Sequence, residues 1–165
     1  MMKAYYDTIL TPAGEFSIAV NEAGALVATA FGTESALRAR LKSTDVELHR
    51  AHKPIASARS QVTAYFSGRR KEFDLPLAPV GTPFQQRVWT ALQKIPFGET
   101  RSYGALAKTL RSGARAIGRA NATNPICLVV PCHRVIGADG SLTGFAFGED
   151  VKLRLLRHEG ALAAA

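Results

Sequence analysis

Cysteine is nearly absent from this chain: Cys127 and Cys132 are the only two in 165 residues. Two thiols so close in sequence make a poor staple for a chain of this size, and a cytosolic setting keeps them reduced. Neither a CxxC pair nor an HExxH run occurs. A metal site on Cys127, Cys132 and His133 lacks an obvious fourth ligand. No apolar run approaches about 20 residues, so no membrane-spanning helix is expected. The opening Met1-Met2-Lys3-Ala4-Tyr5-Tyr6-Asp7 has no apolar signal core. The expectation is a cytoplasmic protein with no membrane partner.

Carboxylates are scarce in one particular stretch. Between residues 84 and 134, Glu99 stands alone against Arg87, Lys94, Arg101, Lys108, Arg111, Arg115, Arg119 and Arg134. The whole chain carries a net charge of +8, most of it in the second half. Such concentration suggests a polyanionic partner, although a solvated face on a basic protein accounts for the same charges. What is abundant is ordinary: 47% apolar and 21% charged residues suit a globular fold. The length suits one compact domain or two small ones.

Residues 4–31 have the pattern of a strand meander. Tyr5–Leu10 and Phe16–Val20 flank the turn-like Thr11-Pro12-Ala13-Gly14, and Asn21-Glu22-Ala23-Gly24 leads into Ala25–Phe31. Ser35–Lys42 suits a short helix. Ile55, Ala58, Val62 and Phe66 recur at helical spacing before Ser67-Gly68. Phe73–Leu77 suggests another strand. Pro76, Pro79 and Gly81 mark a linker, which puts a domain boundary near residue 80 and separates an αβ domain, 1–80, from a second domain, 81–165.

The second half opens on Thr82-Pro83-Phe84-Gln85, a capping-box start with proline at the first helical position. Ser102–Leu110 and Ala114–Ala122 then predict two short helices joined at Arg111-Ser112-Gly113. On the second, Ala116, Ile117 and Ala120 make an inner face and Arg115 and Arg119 a basic outer one, the pattern of a helix-turn-helix. Ile126–Val130 is a continuous apolar run, expected as a buried strand. It delivers Pro131-Cys132-His133-Arg134-Val135 to a glycine-rich loop and a last helix from about Asp150 to His158.

Cys132 is the first candidate for chemistry. A thiol attacks as thiolate and needs a neighbour that takes its proton. His133 is adjacent, but successive side chains of a strand point to opposite faces, and a buried structural cysteine fits the same residues. Glu159 sits where a helix dipole disfavours a carboxylate; a histidine partner would compensate, and an exposed glutamate is the simpler account. Asn124 precedes Pro125, which suits a turn or an amide lent to a site. Tyr103 opens a helix, either as core or with its hydroxyl toward a ligand.

Taken together, Asn124-Pro125, the apolar run and Pro131-Cys132-His133-Arg134-Val135 resemble the signature of the O6-alkylguanine-DNA alkyltransferases. The match extends upstream through residues 114–120 and downstream through Gly137–Gly144 and residues 155–160; residues 1–80 match only in length and strand-rich character. The resemblance implies an α+β fold: a ribonuclease-H-like N-terminal sheet domain and a C-terminal helical domain that binds DNA and accepts the alkyl group. It implies irreversible, single-turnover transfer of an alkyl group, chiefly methyl, from O6-alkylguanine in double-stranded DNA to Cys132. O4-alkylthymine is a second candidate substrate. His133 would take the thiol proton through a water and Glu159 would orient His133. Asn124 would brace the cysteine loop, and Tyr103 would donate toward the departing guanine.

By the same resemblance the helix 114–122 would enter the minor groove, with Ala116, Arg119 and Ala120 along it. Arg115 would fill the gap left by a flipped nucleotide. Val135 would offer backbone contacts to the base, and Phe145, Ala146 and Phe147 would wall the pocket. Phe145 stands where many relatives carry tyrosine, and Ala146-Phe147 replaces smaller or polar residues, so methyl is expected ahead of bulky adducts. Some relatives hold zinc in the N-terminal domain; with no cysteine before Cys127, none is expected here, nor any cofactor. A monomer is expected in solution, with cooperative assembly on DNA allowed. Two rivals remain: a cysteine hydrolase, which leaves the basic segment idle, and a DNA-damage sensor, which leaves Cys132 idle.

Overall fold

The alternation in Met2–Thr11 and the turn that follows it build the first hairpin. In the computed structural model, which describes residues 1–41 and 45–162, β1 (Met2–Thr11) pairs antiparallel with β2 (Gly14–Asn21) across a turn closed by Thr11 opposite Gly14. The Thr11 hydroxyl donates to the Gly14 carbonyl at 2.7 Å, and Gly14 takes the positive φ of 102° that closes so tight a turn. β3 (Leu26–Phe31) adds antiparallel to β2, and both are buried along most of their length. The sheet order is β3-β2-β1-β4. Against it lie α1 (Glu34–Arg40) and, after a short 3₁₀ turn, α2 (Ala56–Phe66). The expected helix Ser35–Lys42 corresponds to α1, which ends at Arg40 with Leu41 as its C-cap, and Lys42 lies outside the described residues.

Within residues 1–80, two differences from the sequence-based expectation concern strands. β4 (Val46–Arg50) runs parallel to β1 and was not anticipated. None of its residues is buried, so it lacks the apolar alternation that announces a strand. Phe73–Leu77, by contrast, is not a strand. Leu77 makes one isolated parallel bridge to Leu26, where the Leu26 N–H donates to Pro76 O and the Ala78 N–H to Leu26 O, both at 2.8 Å. Pro76 has no N–H to give and Pro79 follows closely, so the ladder cannot extend. Beside the sheet's parallel edge, the buried Asp7 carboxylate accepts from Arg50 Nε at 3.2 Å and contacts His52 Nδ1.

Contacts divide the chain into two compact units, Met1–Val80 and Gly81–Ala165. The second is helical. α3 (Pro83–Gln93) begins with a reciprocal capping box between Thr82 and Gln85. Its Trp89 donates from Nε1 to Ala120 O at 2.8 Å, pinning α3 to α5 (Ala114–Ala122). Between them, α4 (Tyr103–Leu110) is capped by the Ser102 hydroxyl, which accepts from the Ala105 N–H at 3.0 Å. Arg111 ends α4 in the left-handed conformation, φ 54°, which gives the sharp joint to α5. Two-residue strands β5 (Arg101–Ser102) and β6 (Val135–Ile136) pair in parallel, and α6 (Glu149–His158) closes the unit. No helix among the described residues is long and apolar enough to cross a membrane.

Ile126–Val130 is not the buried strand its apolar run suggests. It is buried but coiled: Leu128 adopts φ 72°, and the Val130 N–H donates back to Ile126 O at 2.9 Å. An apolar run fixes burial, not backbone form. Here a side-chain amide supplies what a neighbouring strand would have. Asn124 accepts from the Ile126 N–H at 3.0 Å and donates from Nδ2 to Val130 O at 2.9 Å, stapling both ends of the loop.

Candidate active site

The stapled loop ends at Pro131, and a single 3₁₀ turn, Cys132–Arg134, follows it. Two hydrogen bonds fix where that turn begins. The Cys132 N–H donates to Val130 O at 2.8 Å, and Asn121 Nδ2 donates to Cys132 O at 3.3 Å. Because this is a tight turn and not a strand, Cys132 and His133 are not held to opposite faces by strand alternation. Cys132 is 4% exposed and His133 wholly buried.

His133 Nε2 lies 2.8 Å from Glu159 Oε2, and neither side chain has any solvent access. Glu159 caps α6 and serves a second partner. Arg134 donates from Nε to Oε1 at 2.8 Å and from its second terminal nitrogen to Oε2 at 2.9 Å, a forked pair. Its remaining terminal nitrogen donates to Ile95 O at 2.6 Å, so the guanidinium is tied to the end of α3 as well. Burial by itself would raise the Glu159 carboxyl. The hydrogen bonds from His133 and Arg134 prevail and hold it far below the usual carboxylate range. An ionised carboxylate only accepts, so Nε2 carries the histidine proton and Nδ1 presents a lone pair. Among the described residues no group hydrogen-bonds Nδ1, although it is buried. Burial pushes the His133 imidazole below its ordinary value, against the pull of Glu159, so it is neutral at pH 7. A neutral imidazole with a free Nδ1 is a proton acceptor.

A buried cation stands on the other side. Lys152, on α6, is 0% exposed; its ammonium donates to Val135 O and lies 5.8 Å from the centre of the Tyr103 ring. Burial brings its pKa down to about 8, with the charge of Cys132 resisting the fall. It is therefore largely charged at neutral pH, where it favours the thiolate of Cys132. Tyr103 packs against α5 at Gly118 and donates from its hydroxyl to Thr143 O at 3.2 Å. Burial raises its pKa, so it stays a donor. The Gly144 backbone passes so close that a Cβ there would come within 3.0 Å of that hydroxyl.

Cys132, His133, Glu159, Asn124 and Tyr103 thus share one region of the C-terminal unit. Val135 is there too, fully buried, with its carbonyl engaged by Lys152. In the following loop Phe145 is 9% exposed and stacks edge-on with Phe147 at 5.6 Å, while Ala146 is exposed. On α5, Arg115 and Arg119 are exposed, Ala116 is half-buried, and Ala120 is buried toward Trp89. Sequence reasoning did not single out Arg134, Lys152 or Asn121. Each is a polar residue that the fold buries, and burial of that kind has no signal in a single sequence. No cluster of three or more metal-ligating side chains occurs among the described residues.

Residues 83–161 match the 6-O-methylguanine DNA methyltransferase DNA-binding domain, and residues 4–79 match the ribonuclease-like domain of the same enzymes. A methylated-DNA–protein-cysteine methyltransferase of Methanosarcina barkeri is 45% identical over 157 residues, covering 94% of this chain and 96% of that protein. The constitutive methylated-DNA–protein-cysteine methyltransferase of Bacillus subtilis is 42% identical over 158 residues, 94% of each. Among solved structures, Mycobacterium tuberculosis OGT in complex with DNA superposes with a TM-score of 0.81 at 40% identity, covering 95% of this chain and 93% of that one.

Proposed function

The chain belongs to the 6-O-methylguanine DNA methyltransferase family, and from that premise we infer that Cys132 is the thiol that takes the alkyl group. The activity is DNA repair by direct reversal, in which an alkyl group leaves methylated DNA for a cysteine of the protein itself. Of the two cysteines, Cys127 lies inside the coiled loop with no exposure, whereas Cys132 opens the turn that carries His133. The observation that carries the assignment is the buried His133 imidazole, next to Cys132 in the turn and held by Glu159, whose Nδ1 has no hydrogen-bond partner among the described residues.

In this reading His133 takes the thiol proton through a water, and the thiolate attacks the carbon attached to guanine O6. The S–C bond forms as the C–O bond breaks. Tyr103 donates toward the base, so that guanine departs neutral. Lys152 favours the thiolate before attack, and Arg134 shares Glu159 so that the carboxylate stays ionised. A thioether has no easy reversal, so each molecule acts once. The O6 atom is stacked inside the duplex, so the nucleotide must be flipped out. Exposed Arg115 and Arg119 on α5 suit the minor-groove contact and the filling of the gap. The packed Phe145–Phe147 pair favours methyl over bulky groups. A reactive thiol outside any disulfide suits a reducing, cytoplasmic setting.

The test is mass spectrometry of the Cys132 peptide after incubation with duplex DNA containing O6-methylguanine. One methyl group per protein, on Cys132 and absent from Cys127, is expected. An unmodified Cys132 despite tight DNA binding would make the protein a damage sensor, and continued turnover would make it a hydrolase.

A further inference from the structure

A second concave surface lies in the C-terminal unit, among residues the reaction does not use. It is a groove of about 530 Å³ between α3 and α4. Its floor is apolar, formed in part by Ile95, Leu106 and Leu110, and its rim carries Arg87, Lys94 and Arg101. No carboxylate lines it. Glu99 pairs with the rim residue Arg101 at 3.1 Å across solvent-exposed side chains, a contact that water and salt weaken. Arg87 spends one nitrogen on Leu110 O at 3.0 Å, which holds the guanidinium at the groove edge.

The combination is selective. Phosphate contacts to nucleic acid call for cations on an open surface and gain nothing from an apolar floor. A second copy of this chain, at a net charge of +8, brings like charge to the rim. A segment with both carboxylates and large apolar side chains satisfies both parts: the apolar groups fill the groove and the acids meet the cations. The geometry points to this groove as a docking site for an acidic, apolar-anchored peptide segment of another protein. The rim residue Arg101 opens β5 and pairs with Val135, the residue that follows the turn Cys132–Arg134, so one strand pairing connects the groove to that turn.

Fluorescence anisotropy of the full chain with labelled synthetic peptides tests this. The probe alternates aspartate with leucine and ends in phenylalanine; one control replaces aspartate by lysine, another replaces the apolar residues by serine. The probe should bind at least tenfold more tightly than either control. The double substitution Thr90→Glu with Lys94→Glu, both exposed positions on the groove, should weaken probe binding at least tenfold and leave alkyl transfer from the free O6-methylguanine base, which needs no phosphate contact, unchanged. Equal affinity for probe and serine control would remove the groove as an anchor. A double variant that binds the probe normally but loses duplex DNA would reassign the surface to nucleic acid and overturn the proposal.

Discussion

His133 Nε2 and Glu159 Oε2 meet at 2.8 Å where neither side chain touches solvent, and the same carboxylate is forked by Arg134. The contact settles which imidazole nitrogen is protonated, and the first prediction follows from it. Burial depresses the His133 pKa below the ordinary value of about 6.5. The alkyl-transfer rate should therefore hold steady through neutral pH and fall only below that value, as Nδ1 becomes protonated. Rates measured on O6-methylguanine DNA from pH 5 to 8 check it. A loss centred above 6.5 would contradict a neutral, buried base.

Glu159→Gln should cost stability as well as rate. The substitution leaves the Arg134 guanidinium buried without its counter-charge, a loss of about 3–5 kcal/mol. Urea unfolding followed by the single tryptophan, Trp89, which is buried against α5, measures it. The pH dependence gives a second readout. A carboxyl depressed in the fold contributes stability above its unfolded value of about 4.3, lost as pH falls toward the folded value. The variant should show a shallower acid limb than the parent protein.

Lys152→Met should slow transfer at pH 7 while the protein stays folded: the substitution removes a buried charge and keeps its volume, and the lost bond to Val135 O costs about 1–3 kcal/mol at most. The rate should recover as the pH rises into the alkaline range, where hydroxide supplies the thiolate directly. Slowing by the same factor at every pH would instead mark Lys152 as packing for Tyr103.

Arg115→Ala should slow repair in duplex DNA about tenfold or more and leave reaction with free O6-benzylguanine nearly unchanged. Only the first substrate requires a gap to be filled. Equal slowing of both would count against nucleotide flipping by α5. Duplex binding should also weaken steeply with salt, since each phosphate contact releases counterions; a flat salt response would contradict contact through the phosphates.

Much of this was legible in the residues because the cues are local. The Thr82–Gln85 capping box, the Gly14 turn and the small-apolar inner face of α5 each depend on neighbours within four positions. The family signature around Cys132 is local too. What escaped notice depends on partners distant in sequence. β4 has no buried residue to betray it and exists by pairing with β1. Ile126–Val130 passes for a strand until Asn124 is seen to bond both of its ends. Lys152 looks like any helical surface lysine, and nothing in its sequence neighbourhood says that Val135 O receives it. Arg134 was in plain view within the pentapeptide, yet its share in Glu159 emerges only when α6 is laid against the turn.

That arrangement also sets an order of events during synthesis. The ribosome delivers Cys132 first, and the residue that orients its base emerges only with the last turn of α6. A nascent chain halted in between presents a thiol without a tuned histidine and an Arg134 without its acid. On the proposed assignment such a chain lacks the tuned base for its one reaction, so reactivity should appear only once the final helix has docked.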